Sequence, residues 1–142
     1  MRIGLNLAAA IAVCAVPARM AEPSPPAIVI EGLKAAVSSG IEQAIAVWFK
    51  GSALEGDTAS AGTVIRTFHA LPDWFGKPAG YELLKTYAVG THFTRTYAVL
   101  LFDGGPMYWR FDYYLGPKGW ILNHLDFNTE REKILPASLE VP

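Results

Sequence analysis

The stretch from His92 to Phe127, HFTRTYAVLLFDGGPMYWRFDYYLGPKGWILNHLDF, decides the fold. Apolar and polar residues alternate in it with a period of two, which is typical of half-buried β-strands. Two short loops, Asp103-Gly104-Gly105 and Pro117-Lys118-Gly119, interrupt the alternation, and loops of this length join antiparallel neighbours. The stretch therefore predicts three antiparallel strands, at about His92–Phe102, Met107–Leu115 and Trp120–Phe127.

The residues on either side complete an α+β domain. A strand at Tyr81–Val89 precedes the three, and before Gly80 the apolar residues recur at helical spacing instead. The final helix opens with the capping pair Thr129/Glu132 and stops at Pro136. We expect N-terminal amphipathic helices packed on a curved four-stranded antiparallel meander, with a short C-terminal helix. The predicted helices are Ile30–Val37, a second from the capping pair Ser39/Glu42 to Gly51, Thr58–His69 and Thr129–Leu135.

The loop lengths predict which side chains share a face. Three-residue loops would pair Leu101 with Met107 in the first hairpin and Leu115 with Ile121 in the second. One face is then almost wholly apolar and must be covered by the helices. The other face carries charges, with Arg110 opposite Asp126 and Asp112 opposite His124. These opposite charges favour the register.

A polar row crosses the predicted apolar face. The same register pairs Arg95 with Tyr113 and Tyr113 with Asn123, and Tyr97 lies beside them. An arginine in an apolar surround offers fixed donors to an anionic or carbonyl-bearing molecule. We interpret these four residues as a candidate ligand site. The alternative is that the row marks where the sheet leaves the core, with the Arg95 side chain reaching water.

Helices followed by a four-stranded meander resemble the NTF2-like and cystatin-like α+β rolls. Aromatic and turn residues carry this resemblance: Trp48-Phe49, Arg95-Thr96-Tyr97, Gly105-Pro106, Trp109-Arg110-Phe111, Tyr113, Gly119-Trp120 and Phe127. They are similar to a group of small exported bacterial proteins of unassigned function. The resemblance implies a cavity between the concave sheet face and a helix, with Arg95 at its polar end. It also implies an extra strand, which the sequence does not predict between Gly51 and Thr63.

The second sheet face mixes aromatic and charged residues, a composition typical of interfaces. We expect a homodimer or an envelope protein partner to dock there. The candidate contacts are Tyr108, Arg110, Asp112, Tyr114, Trp120, His124 and Asp126. Within this set Asp112 and His124 could act as an acid/base pair. No serine or cysteine nucleophile is placed beside them, so a surface ion pair is the preferred interpretation and no catalytic residue is assigned.

The N-terminus reads as a leader for export. Met1-Arg2 and the apolar run to Val16 form a signal peptide, residues 1–21, with cleavage after about Ala18 to Ala21. The proline-rich residues 22–26 form an extended spacer, and residues 27–142 form the single domain. Cys14, the single cysteine, falls in the leader, so the exported domain would carry no disulfide. Val13 is too large for a lipid-acylation motif, and we expect no lipid anchor through Cys14.

Composition limits the class of function. The chain has 142 residues, of which 51% are hydrophobic and 18% charged, as in one globular domain. Without Arg2 and Arg19 the balance is slightly acidic and contains no basic run, which disfavours nucleic-acid partners. The three histidines are dispersed, so we predict no metal and no cofactor. We expect a non-enzymatic periplasmic or secreted domain that binds a small apolar or anionic ligand or docks a protein. The alternatives are an isomerase or dehydratase, using Tyr97, Tyr113, His69 or Asp73, and a structural envelope subunit.

Overall fold

The computed structural model describes residues 23–139, so the predicted signal peptide lies outside the described residues. Three helices come first, followed by four strands. The helices are α1 (Ala27–Ser38), α2 (Ile41–Phe49) and α3 (Thr58–His69). The strands are β1 (Pro78–Val89), β2 (Phe93–Phe102), β3 (Gly105–Gly116) and β4 (Gly119–Asn128). The α+β class and the order of the elements agree with the prediction. No helix in residues 23–139 is long and apolar enough to cross a membrane.

The predicted capping pair Ser39/Glu42 does not form. Helix α1 extends to Ser38, and the Ser39 N–H donates to the Ala35 carbonyl as the C-cap of that helix. The N-cap of α2 is Gly40, with φ 102°, and no side chain forms a capping hydrogen bond at this helix start. Helix α3 has the bounds predicted for it, and the Asp57 carboxylate accepts from the N–H groups of Ala59 and Ser60 at its start.

The strands form one antiparallel meander in the order β1-β2-β3-β4. The sheet is open, because β1 and β4 are not paired with each other. The residues between α2 and α3 form turns, so the extra strand implied by the resemblance is absent from the described residues here too. Both outer strands therefore remain edges within residues 23–139.

The predicted register of the first hairpin is wrong by one residue. Phe102 pairs with Gly105, so the loop is Asp103-Gly104 and has two residues instead of three. Gly104 packs against the Phe75 backbone, and its N–H donates to the Phe75 carbonyl at 3.0 Å. This contact lies outside the hairpin and cannot be read from its sequence. A shift of one residue exchanges the two faces of β2.

The second hairpin contains two deviations that cancel. Gly116 pairs with Gly119, which shortens the loop by one residue relative to the prediction. A bulge at Asn123 then adds one residue to β4. The predicted pairs of Phe111 with Leu125 and of Trp109 with Phe127 are therefore confirmed. The predicted pairs of Tyr113 with Asn123 and of Leu115 with Ile121 are wrong, because they lie between the loop and the bulge.

A dense aromatic core fills the space between the helices and the sheet. Trp48 of α2 lies 5.1 Å from Trp109 and 4.9 Å from Phe111, measured between ring centroids. All three are fully buried. Gly32 of α1 lies so close to the Trp48 indole that a Cβ at this position would overlap the ring. The sheet face that the resemblance would line with a cavity is thus packed solid where these rings meet.

A second, smaller cluster covers part of the outer sheet face. Tyr97 is only 4% exposed there, because Ile134 and Leu135 of the C-terminal segment pack on it. The predicted helix Thr129–Leu135 is instead a single 3₁₀ turn at Arg131–Lys133. The Asn128 side chain accepts from the Glu130 N–H, in place of the predicted Thr129/Glu132 cap. The segment before Pro136 is too short for a stable α-helix, so its packing on Tyr97 determines its path.

Candidate functional site

The four residues predicted to bind a ligand do not share a face. Arg95 and Tyr97 lie on the outer face, because the first hairpin has the other register. Tyr113 lies in the core beneath the helices, where its hydroxyl donates to the Trp48 carbonyl at 3.4 Å. Burial raises the pKa of Tyr113 well above its usual range. Asn123 is exposed at the bulge of β4. The predicted pocket with Arg95 at its polar end is therefore not formed.

Arg95 is bound to Asp112 of the neighbouring strand. Its Nε and Nη2 atoms donate to the two carboxylate oxygens at 2.7 Å each. This bidentate contact with Asp112 raises the pKa of the Arg95 guanidinium above its usual value. Arg95 and Asn123 line a common shallow cleft of about 330 Å³ on the outer face. The guanidinium is already neutralised there, which weakens its attraction for an anion.

The predicted interface residues lie mostly on the outer face, but not all of them are available. Tyr108 packs against the C-terminal cluster, and Trp120 packs against the helix-side core. Tyr114 contacts Phe93, with ring centroids 5.2 Å apart. Arg110 donates to Asp126 at 3.4 Å, as the predicted register implied.

Asp112 and His124 face each other in the register but do not form the acid/base pair considered above. The Asp112 carboxylate binds Arg95, while His124 Nε2 lies 3.0 Å from Arg110 Nη2. Each member of the expected pair thus has a different partner. This face therefore holds a network in which Asp112 binds Arg95 and His124 binds Arg110.

Another cleft lies on the helix side, at the end of the core. It has a volume of about 510 Å³ and opens between the α1–α2 turn, the C-terminal end of α3 and the start of β1. Its apolar wall consists of side chains that belong to the core or pack against it. These are Val37, Ile41, Phe68, Leu71 and Phe102. Sequence analysis did not identify this cleft, because it is formed where four separate segments meet.

A carboxylate and an imidazole meet at the rim of this cleft. His69 Nε2, at the end of α3, lies 2.7 Å from Glu42 Oε1, in the first turn of α2. The backbone N–H of Glu42, followed by the contact with His69, lowers the pKa of the Glu42 carboxyl. Glu42 therefore stays ionised at neutral pH and complements the positive end of the α2 dipole. The two residues are 27 positions apart, so no short motif could have paired them.

Lys77 adds a positive charge to the same cleft. It lies between Gly76 and Pro78 in the wall, and within residues 23–139 its ammonium forms no hydrogen bond or ion pair. The segment that carries it is held in place, because Phe75 is buried against Phe102 with ring centroids 4.7 Å apart. The cleft thus combines an apolar wall, the contact between Glu42 and His69, and a lysine that has no partner among residues 23–139.

No group of three or more His, Cys, Asp or Glu side chains in the described residues is arranged to hold a metal ion. Comparison of the chain with protein-family models, with curated proteins and with solved structures finds no match. The fold is therefore defined by its own geometry, as an α+β domain of three helices packed on a four-stranded antiparallel sheet.

Proposed function

We propose that this protein is an exported binding domain that holds a small, largely apolar molecule with an anionic group in the helix-side cleft. The observation that carries the proposal is Lys77, a lysine without a partner in the described chain, at a cleft of about 510 Å³ that has an apolar wall. Ligand pockets generally have volumes of about 300–1,000 Å³, mostly apolar walls and a few polar groups that fix orientation.

The apolar wall supplies part of the expected affinity. Phe68 and Phe102 are buried core residues, and their rings lie 6.0 Å apart between centroids. A ligand that covers the sides of these rings would remove further apolar surface from water, at about 25 cal/mol per Å². Because the wall belongs to the core, it is formed before the ligand arrives, which lowers the entropic cost of binding.

The charges at the rim favour an anionic group. Glu42 Oε1 already contacts His69 Nε2 at 2.7 Å, so one oxygen of its carboxylate is occupied. Lys77 has no such partner in residues 23–139, and an ammonium can donate charge-assisted hydrogen bonds to a carboxylate or sulfonate. The order of helices followed by a meander also supports kinship with the NTF2-like rolls. In this chain, however, the proposed site lies at the end of the core instead of on the concave sheet face.

Binding of 8-anilinonaphthalene-1-sulfonate, an apolar probe with one anionic group, tests this proposal. We expect saturable fluorescence enhancement with the folded protein, and a loss of binding in Val37→Trp, whose larger side chain fills the cleft. Lys77→Gln should raise the Kd about tenfold, because it removes one charge-assisted contact. Lys118→Gln, in the β3–β4 loop, is the matched control and should leave the Kd unchanged. Equal binding by wild type and Val37→Trp would contradict the proposal.

A second candidate function, proton transfer on a bound molecule, is favoured by the contact between Glu42 and His69. A carboxylate that orients an imidazole is a common arrangement in general acid/base catalysis. Both side chains are at least half exposed, at 50% and 66%, so water competes for the proton. If the site is catalytic, His69→Gln will keep the binding of a ligand and abolish its turnover. If the site only binds, the same variant will leave the ligand chemically unchanged, as the wild type does.

A further inference from the structure

Strand β4 is an edge without a partner within residues 23–139. It pairs with β3 on one side, and no backbone hydrogen bond joins its other side to another described segment. The other edge, β1, starts at Pro78 and has an irregularity between Leu83 and Lys85, two features that discourage pairing. β4 has its bulge at Asn123, which leaves five regular residues, 124–128. An edge of this kind is a template for another strand.

The hairpin determines which residues of β4 direct their backbone N–H and C=O groups toward β3 and which direct them toward the free edge. A two-residue loop closes on a hydrogen-bonded pair, here Gly116 with Gly119, and bonded positions then alternate along β3. Asp112 and Arg110 are therefore bonded positions, and so are their partners His124 and Asp126. Leu125, between those partners, directs its N–H and C=O toward the free edge.

The polar side chains on β4 are complementary to a second copy of the same strand, because His124 Nε2 accepts from Arg110 and leaves the Nδ1 side of its ring for another partner. His124 and Asp126 are two residues apart and lie on the outer face, where both contact Arg110. In an antiparallel pair of β4 strands related by a two-fold axis at Leu125, His124 of each copy faces Asp126 of the other. A two-fold axis at Asp126 would instead place two carboxylates opposite each other. An imidazole that faces a carboxylate across strands can donate a hydrogen bond to it, whereas two carboxylates that face each other repel.

We propose that two copies of this chain associate through antiparallel pairing of their β4 strands about Leu125, which joins the two sheets into one of eight strands. This interface is isologous, because the same edge serves both copies, as in most homodimers. In this pairing the Leu125 N–H of each copy donates to the Leu125 C=O of the other copy, which forms two backbone hydrogen bonds. It leaves the helix-side cleft unobstructed, so it is independent of the proposed ligand site.

Sedimentation velocity over a range of concentrations, with charge-swapped variants, tests this pairing. We expect a dimer for the wild type. His124→Asp should weaken the dimer about tenfold or more, because it sets two pairs of carboxylates against each other. The double variant His124→Asp with Asp126→His should restore it, since the complementary order returns. His92→Asp, an exposed histidine in the β1–β2 loop, is the control and should dimerise like the wild type.

Hydrogen exchange on the wild type provides a second measurement that does not depend on any variant. The Leu125 amide should exchange more slowly as the dimer forms. A protein that stays monomeric at every concentration overturns the proposal. So does a dimer that His124→Asp leaves intact, or one in which the Leu125 amide gains no protection, since either result places the contact elsewhere, such as on the outer sheet face. If His124→Asp does not fold, the exchange of Leu125 in the wild type decides.

Discussion

Arg95 and Asp112 face each other across β2 and β3, and the guanidinium donates to both carboxylate oxygens at 2.7 Å. The Asp112 side chain is only 17% exposed, whereas that of Arg95 is 43% exposed. The pair therefore serves mainly to satisfy a carboxylate that is largely removed from water. This is a structural role, in place of the ligand contact that the sequence suggested for Arg95.

Removing Arg95 should destabilise the protein without affecting the cleft. Arg95→Ala leaves the Asp112 carboxylate without its main partner, so we expect a loss of about 1–2 kcal/mol in the free energy of unfolding. Arg131→Ala removes a more exposed pair, with Glu132 at 3.1 Å, and should cost clearly less, because water screens this pair. Urea denaturation measures the free energy of unfolding of both variants. Equal losses would show that the bidentate Arg95–Asp112 pair stabilises the protein no more than the exposed pair does. Binding of the fluorescent probe should stay unchanged in both.

Two helical glycines should respond oppositely to alanine. In an exposed helix, Gly→Ala stabilises by about 0.5–1 kcal/mol. Gly62 of α3 should follow this rule, because a Cβ there would lie 3.2 Å from Arg66 Nη1, which is the end of a flexible side chain. Gly32→Ala should instead destabilise by about 2–3 kcal/mol, because its Cβ would overlap the Trp48 indole in the core. Thermal unfolding of the two variants provides the test. A stabilised Gly32→Ala protein would mean that Trp48 can move aside.

The sequence predicted the helices and strands of this fold better than it predicted which side chains lie on each face of the sheet. Period-two alternation and the apolar stripes of the helices depend on local geometry, and the predicted order of helices and strands is confirmed. The predicted register of β2 was wrong because both of its faces are apolar and buried: Tyr97 and Val99 are at most 5% exposed, and Ala98 and Leu100 are fully buried. The hydrophobic pattern therefore could not choose between loops of two and three residues. That choice depended on the contact between Gly104 and Phe75.

The sequence could not predict most of the candidate site, because the site also depends on contacts between distant segments. His69 was a candidate only for an enzyme, and neither Glu42 nor Lys77 was placed near it. Glu42 was interpreted as half of a capping pair with Ser39. In the structure Ser39 is the C-cap of α1, and this pair does not form. The cleft depends on how α1, α2, α3 and β1 meet at one end of the core, and no local pattern encodes that arrangement.

The lowered pKa of Glu42 predicts a pH dependence of stability. A carboxyl whose pKa is lower in the folded state stabilises the protein above its unfolded pKa and loses this contribution as the pH falls through the folded pKa. The difference in unfolding free energy between wild type and Glu42→Gln should thus be largest above the ordinary Glu pKa and should decrease as the pH falls below it. Urea titrations from neutral to acidic pH measure this difference. A difference that is constant with pH would mean that the backbone N–H of Glu42 and His69 do not favour the ionised form.

The C-terminal segment should act as a cover that stabilises the outer sheet face. Ile134 is 5% exposed and packs with Leu135 on Tyr97, so Ile134→Ala should cost about 2–4 kcal/mol of unfolding free energy. Leu139 lies at the margin of the same cluster and is only partly buried, so Leu139→Ala should cost less than about 1 kcal/mol. In Ile134→Ala, the rings of Tyr97 and Tyr108 should also become more exposed, so a soluble quencher should reduce their fluorescence more strongly. If the two variants unfold at the same urea concentration, the segment does not hold Tyr97 away from water.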